Sequence, residues 1–552
     1  MSLLWGFLAR KSLRNHRFLN NVLPFGIPRQ LAAGSFIEFN RFMSKSFYIT
    51  TTLPYVNAKP HIGFALEIIQ ADVIARYHRL LGDEVLFNTG TDEHGLKIYR
   101  NAQEAGVDTQ KYCDENAAQF DALKTALNLS YDKFIRTTDP RHEQAAQEMW
   151  RRCEANGDIY KKTYQVKYCV GCELEKTDSE LADGRCPIHP NLELELIDEE
   201  NYFFCFSKYQ EQLLKLYADN PDFVIPKNRL EEIKNFAAAG LQDFSISRLK
   251  EKMPWGVLVP NDPDQVMYVW FDALTNYIST LGWPVSAPDG VAPGKPNDFE
   301  RFWPGIQVAG KDNLRQQSAM WQAMLMSAGL QPSKQIFIHG FITAEGQKMS
   351  KSLGNVVDPF EMVKKYGTDA VRYYLLGALP SCEDGDWSQE RFEEYYTAHL
   401  VNGAGNLTSR ILTMLEKYAD SRIPEIAEDI FDTKTFWDNY EDTLENFAFD
   451  ENIKYVNFLV SAGDGLISEQ KPWEKAKAGE DISFLLYQLA ECLRHIGLAL
   501  LSVIPEAGEK ILSSLGVNVK SLEELKKEKE WGRLKKGTQV KKGEVLFPRL
   551  GK

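Results

Sequence analysis

The chain has 552 residues, 44% of them hydrophobic and 26% charged, with a formal net charge of −13. That length exceeds one ordinary domain and suggests about three or four, and the composition excludes a fibrous or disordered chain. The acidic balance excludes a protein that coats nucleic acid indiscriminately but allows a local basic groove, and no apolar run approaches the about 18–20 residues of a membrane span.

Residues 1–45 stand apart, with seven Lys/Arg and one acid, Glu38. Basic and acid-poor is the pattern of an organellar leader. The apolar piece Leu3–Leu8 is short and no small-residue cleavage site follows, which argues against a secretory signal. The alternative is a true start at Met43 with an over-called frame upstream. Residues 1–44 are expected to be unfolded in either case. The protein is expected in the cytoplasm, or in a mitochondrion or other organelle if 1–42 are a real presequence.

Phe47–Leu53 reads as a strand. From Ile62 the apolar positions 62, 66, 69, 73, 77 and 80 recur at helical spacing, and Gly82 follows as a C-terminal cap. Val85–Phe87 is a second strand. Strand, helix, strand predicts a βαβ unit and a parallel sheet with ligands at the carboxyl ends of its strands. The stretch 159–235 breaks the rhythm and reads as an insertion. The alternation resumes with strands at Ile306–Ala309 and Gln335–Phe341 around a helix at Asn313–Ser327. Beyond Tyr395 the pattern is helical, with apolar spacing in Leu400–Leu415, Phe447–Ile467 and Phe484–Leu501 that suits a bundle. The fold class expected is α/β, a Rossmann-type catalytic domain split by the insertion and followed by an α-helical bundle. Its parts are 45–158, 159–235, 236–356, a connector at 357–395 and a bundle at 396–552. The stretch Lys526–Lys552 carries ten Lys/Arg and three acids. It either meets phosphates or is merely solvated.

Three groups of residues carry chemistry. Five of the eight cysteines are scattered, which fits a reducing compartment. The other three form Cys169-x-x-Cys172 and, after thirteen residues, Cys186-x-x-His189. Two paired knuckles of thiolate and imidazole suit one tetrahedral Zn2+, and four protein ligands make it structural. Lys348 and Lys351, in Lys348-Met-Ser-Lys-Ser352, follow a strand; lysines on such a loop can neutralise charge building on a polyphosphate. Pro60-His61-Ile62-Gly63 lies where the first strand meets the first helix. Free N–H groups and the helix dipole favour an anion there, His61 can donate to a phosphate oxygen, and Gly63 leaves room for a ligand against the backbone.

The ordered pair of His61-Ile-Gly63 and the lysine loop resembles the signatures of the class I aminoacyl-tRNA synthetases. Leu53-Pro-Tyr55-Val-Asn57, Gly90-Thr-Asp-Glu-His-Gly95, Val269-Trp-Phe-Asp-Ala-Leu-Thr-Asn-Tyr277 and His339-Gly-Phe-Ile-Thr343 make the chain, from about 46 to 548, similar to the methionyl-tRNA synthetase family of the single-zinc-knuckle type. The resemblance implies ATP-dependent ligation of methionine to tRNA through a methionyl-adenylate. It implies a methionine pocket of Leu53, Tyr55, Asp92, Trp270, Ala273 and Tyr277, where Asp92 pairs with the ammonium group and aromatic walls suit the thioether. It puts His61, Gly63, His94, Gly95, Lys348 and Lys351 on the ATP side, with Mg2+ on the phosphates. His61, Gly63, Lys348 and Lys351 are the catalytic set. Asn406, Arg410 and Trp473 would read a CAU anticodon, by stacking and base-edge contacts. Without the family, Trp473 after Pro472 reads as a helix-packing anchor. A monomer that avoids membranes is expected.

Three departures stand out. Phe64 replaces the family's second histidine, which loses a donor toward the phosphates. Gln316-Gln317 replaces Phe-His at the methionine pocket. Leu274 stands where proline is frequent. Two rival readings follow. A class I synthetase for leucine, valine or cysteine is opposed by Tyr55, Asp92 and Trp270 and by the lack of a large editing domain. A catalytically dead tRNA-binding relative is motivated by Phe64 and opposed by the lysine loop.

Overall fold

The computed structural model describes residues 45–172, 174–176, 181–284, 297–349, 355–517 and 527–551. Residues 1–44, Lys351 and the side chain of Lys348 lie outside the described set.

The predicted βαβ unit is present as β1 (Ser46–Thr51), α1 (Ile62–Leu80) and β2 (Glu84–Thr91). Gly82 follows α1 with φ +86, the left-handed conformation that stops a helix and that glycine adopts without strain. The sheet continues with β3 (Lys133–Arg136). Next come the antiparallel pair β4 (Ile159–Cys169) and β5 (Glu195–Phe204), which belong to a separate four-stranded sheet with Phe244–Ser245 at its edge. The parallel sheet resumes with β6 (Val224–Ile225), β7 (Ile306–Gly310) and β8 (Gln335–His339), in the order β3-β2-β1-β7-β8-β6. Every pairing in it is parallel. The expected boundary of the insertion, 159–235, therefore differs from the structure at one end. β6 lies inside that range yet pairs with β8, and the insertion's own sheet reaches Ser245. A two-residue edge strand is too short to leave a periodic signal.

Both faces of the sheet are covered, as an all-parallel sheet requires. Phe47, Ile49, Ile306, Val308 and Phe337 point into one core; Ala309, Ile336 and Ile338 point into the other. The first core is continuous with the helical region, whose main helices are α2 (Asn406–Tyr418), α3 (Phe449–Gln470) and α4 (Ser483–Val503). The predicted helix over 400–415 is interrupted. A π-helical segment, Tyr396–Gly405, with non-helical Gly403 precedes α2, where a Cβ on Gly405 would come within 2.8 Å of the Leu400 carbonyl. The helix expected over 313–327 likewise contains a π turn at Gln316–Met320. α4 is 21 residues long and apolar enough to cross a membrane by composition, which the absence of a long apolar run in the sequence did not suggest. It is 89% buried within the protein and carries the buried Glu491–Arg494 pair, so it is a core helix.

One buried ion pair ties these parts together. Arg372, on helix Thr368–Gly377, meets Asp72 of α1 at 2.8 Å and donates to the carbonyls of Leu127, Ser502 and Val503. Asp72 also accepts from Arg76 and from Ser130. Its burial opposes ionisation, but the charges of Arg372 and Arg76 win and hold its carboxyl below the usual range.

Candidate active site and its surroundings

The sheet order reverses between β1 and β7, and the crevice outside their carboxyl ends is where ligands bind in such folds. A cavity of about 680 Å³ opens there. Its walls come from the loop after β1 (Leu53, Tyr55), the start of α1 (His61, Gly63), Asp92 after β2, Trp270, and the loops after β7 and β8.

The loops leaving β1 and β2 are zipped together. Asp92 N–H donates to the Pro54 carbonyl (3.0 Å), Val56 N–H donates to Asp92 O (3.1 Å), and Tyr55 and Asp92 form a parallel bridge. The backbone thus sets the phenol ring and the carboxylate side by side. Tyr55 and Trp270 pack against Tyr168, Tyr268 and Val269, giving an aromatic wall with a carboxylate at its edge. The Trp270 Nε1–H is buried with no partner among the described residues.

On the opposite edge His61 is the N-cap of α1, and its Nδ1 accepts from the Gly63 N–H at 3.1 Å. An accepting Nδ1 carries no proton, so the neutral ring keeps its hydrogen on Nε2, where it can donate to an anion. The ring is open at the crevice edge, but the protein packed around it displaces enough water to lower the His61 pKa and favour that neutral form. Gly63 lines the crevice, as expected, and serves a second purpose as well. A Cβ there would lie 2.9 Å from His61 Cε1, so glycine makes room for the capping imidazole rather than for a ligand alone.

The first arm of the lysine loop is a hairpin, Ile342–Ala344 with Gln347–Lys348, closed by Glu345 and Gly346, both at positive φ. The Asp386 carboxylate accepts from Thr343 Oγ1 and Gly346 N–H, each at 2.7 Å, and holds the hairpin against strand Gly385–Trp387. Met349 lines the crevice immediately after Lys348.

Several expected residues sit elsewhere. Ala273 and Tyr277 are buried one layer behind the wall and do not line the cavity. His94 and Gly95, carried to the nucleotide side by the resemblance, do not line it either. His94 is buried, with Nδ1 2.7 Å from Asp272 Oδ2, and Gly95 caps helix Leu96–Glu104 at φ +116. Gln317 is absorbed in a buried chain: its Nε2 donates to Tyr277 Oη (2.5 Å) while its Oε1 accepts from Gln307 (3.0 Å). Leu274 is packed in the core. Phe64 lines the cavity but is otherwise buried, its ring edge-on to Phe120 at 5.4 Å.

Two residues have no role assigned from the sequence: Glu67, and His339, which appears there only within a motif. Glu67 Oε1 accepts from Thr52 N–H and Oγ1–H, and Oε2 meets His339 Nε2 at 2.9 Å. A glutamate on the buried face of α1 was the available signal, because a buried carboxylate demands partners.

The four knuckle residues converge. One ligand atom from each of Cys169, Cys172, Cys186 and His189 lies within 4.8 Å of the others. Cys172 Sγ is 3.4 Å from Cys186 Sγ and 3.1 Å from His189 Nδ1, and Cys169 Sγ is 3.8 Å from the same nitrogen. A tetrahedral ion with bonds of about 2.0–2.3 Å puts ligand atoms about 3.5–3.8 Å apart, so the set fits a metal. A Cβ on Gly171 would lie 2.6 Å from the His189 ring, so glycine is what lets the two knuckles close. Gly171 and Cys172 also line the crevice, which makes the knuckle part of its mouth.

In the helical region Asn406 and Arg410 lie one turn apart on α2. Asn406 is exposed, and Arg410 Nη1 is 2.5 Å from Asp464 Oδ1 of α3. Trp473 is 44% exposed just beyond α3, which is not the environment of a packing anchor. The basic tail folds back on the bundle. Lys536 and Lys542 pair with Glu425 and Glu416, and Lys529 with Glu441, so part of its charge is spent internally.

Comparison with known proteins gives this site its class. The family profile described as tRNA synthetases class I (M) matches residues 47–193 and 191–412. A methionine–tRNA ligase of Thermosynechococcus vestitus is 43% identical over 532 residues, covering 92% of this chain and 98% of that protein. One from Caldanaerobacter subterraneus is 41% identical, over 92% of this chain and 79% of that one. The structure of Mycobacterium tuberculosis methionyl-tRNA synthetase in complex with methionyl-adenylate superposes with a TM-score of 0.84 at 37% identity, over 92% of this chain and 100% of the other. The chain belongs to the methionyl-tRNA synthetases.

Proposed function

We propose that the protein is a methionine–tRNA ligase that works through a methionyl-adenylate, and that the crevice at the β1/β7 switch point is where both half-reactions occur. What carries the reading is the opposition, across one cavity, of the Tyr55–Asp92–Trp270 wall and the His61–Gly63 edge with its lysine hairpin.

Asp92 takes the ammonium group of methionine by a charge-assisted hydrogen bond, and Tyr55 and Trp270 hold the thioether. The substrate carboxylate is thereby left pointing toward the start of α1. A carboxylate oxygen attacks the α-phosphorus of ATP, the α–β bridging bond breaks, and pyrophosphate leaves. His61 donates from Nε2 to a phosphate oxygen, and Lys348 and Lys351 neutralise the leaving group. A hydroxyl of the terminal adenosine of tRNA then attacks the activated carbonyl, and AMP leaves. The chain supplies positioning and charge, with no covalent enzyme intermediate. Magnesium would neutralise the phosphates when bound. Cys169, Cys172, Cys186 and His189 hold a zinc ion that fastens the knuckle at the crevice mouth. Asn406, Arg410 and Trp473 form a face for the anticodon loop of tRNA(Met), in which an exposed indole offers a stacking surface.

Amino-acid-dependent ATP–pyrophosphate exchange across the twenty amino acids tests the reading, followed by tRNA charging. Exchange with methionine alone is the expected result. Exchange with another amino acid, or silence from folded, zinc-loaded protein, would overturn it.

A further inference from the structure

Behind the methionine wall lies a buried cluster that the reaction as described does not use. Asp272 Oδ2 is 2.7 Å from His94 Nδ1, and its Oδ1 is 2.9 Å from His142 Nε2. His142 Nδ1 is in turn 2.9 Å from Ser279 Oγ. All four residues are buried. They come from four places: the loop after β2, helix Pro140–Ala155, helix Val269–Ala273 and helix Asn276–Ser279. Two residues before His94 is Asp92, and two residues before Asp272 is Trp270. The cluster therefore sits directly behind both functional ends of the wall.

We propose that Asp272, clamped between His94 and His142, is a positioning residue for methionine recognition. It fixes the helix that carries Trp270 to the loop that carries Asp92, so that the indole and the carboxylate meet one substrate in one register. This rests on the reading of the crevice as a methionine site. Two Asp272 oxygens engaged by two ring nitrogens leave the carboxylate little rotational freedom, while Phe271, packed against Trp150 and Phe204, anchors the other face of the same short helix. The charge balance agrees. Burial opposes protonation of His94, but the facing charge and hydrogen bond of Asp272 raise its pKa above the ordinary 6.5, with help from Glu143 and Glu93. Burial likewise opposes ionisation of Asp272, yet the two histidines bring it down to about 2. The other groups facing His94 are the neutral edge of Trp255, 5.8 Å between ring centroids, and His142 across the shared carboxylate. The charged clamp is thus complete at low pH and is lost as pH rises through the raised His94 value.

The test is methionine-dependent ATP–pyrophosphate exchange by the full chain from pH 6 to 9.5, with KM for methionine and for ATP measured separately. Asp272→Asn is expected to raise the methionine KM about ten- to a hundredfold, the scale of lost charge-assisted hydrogen bonds, with the ATP KM within about twofold. His94→Asn puts an amide N–H where Nδ1–H was, without the charge. It is expected to cost less than His94→Ala at pH 7 and to flatten the alkaline rise in methionine KM that wild type shows. Any rise left in His94→Asn belongs to the substrate's own amine. Methionine and ATP KM rising together in Asp272→Asn, a flat wild-type profile, or the full wild-type rise persisting in His94→Asn would each overturn the clamp. If Asp272→Asn does not fold, the wild-type and His94→Asn profiles decide alone. No methionine-dependent exchange in wild type would overturn the enzymatic reading itself and this one with it; exchange with any of the three contrary results overturns only the clamp.

Discussion

The two sides of the crevice are built by opposite means. The proposed methionine side is backed by buried side chains that hold one another: Asp272 between two histidines, Gln317 between Tyr277 and Gln307, and Tyr48 Oη donating to the Tyr277 carbonyl at 2.8 Å. The proposed nucleotide side is made of backbone at a helix start, an exposed histidine and a hairpin pinned by one aspartate. The difference follows from what each must do. Discriminating a thioether from a slightly different side chain yields only about 1–3 kcal/mol per methylene, so that wall must not give. Stabilising charge that appears only during the reaction calls for donors that reach their target when it forms.

This contrast can be broken by experiment. The largest effect belongs to the nucleotide side. Lys348→Ala should lower kcat for pyrophosphate exchange about 10²- to 10³-fold with little change in methionine KM; a methionine KM defect instead would erase the division. Asp92→Asn should do the reverse, raising the methionine KM about ten- to a hundredfold, read in the same assay. Removing the metal with a chelator, or Cys172→Ser, should lower Tm by several degrees, which calorimetry reads. It should also raise the methionine KM a few-fold, because Gly171 and Cys172 stand in the crevice wall; an unchanged KM would confine the knuckle to stability. The smallest effect on rate is expected for Phe64→His. Its ring leans on Phe120, so an imidazole there should cost about 1–2 kcal/mol of stability in urea denaturation, with exchange no slower than wild type. A rate gain beyond about tenfold would show that the missing donor limits the reaction.

Some of this was legible in the chain alone. The period of β1 and α1, Gly82, and the two knuckles each report a local physical requirement, and spacing is enough to read such requirements. The crevice walls were legible through ordered motifs. What spacing could not show is what those motifs lean on. His94 and Asp272 are 178 residues apart, and only the folded sheet brings them to 2.7 Å. The same holds for Gln317, which in sequence is a departure at a pocket position and in the fold is a strut behind Tyr277. β6 was missed because two residues carry no period, and the π turn at Gln316–Met320 because one extra residue shifts a helical pattern without erasing it.

The first helix has a mechanical consequence. His61 caps its start in the crevice, Glu67 grips Thr52 and His339 nearly two turns further, and Asp72 binds Arg372, which holds the carbonyl end of α4. One helix, then, carries side-chain ties both to the groove where ATP would be cleaved and, through Arg372, to the bundle that would hold tRNA.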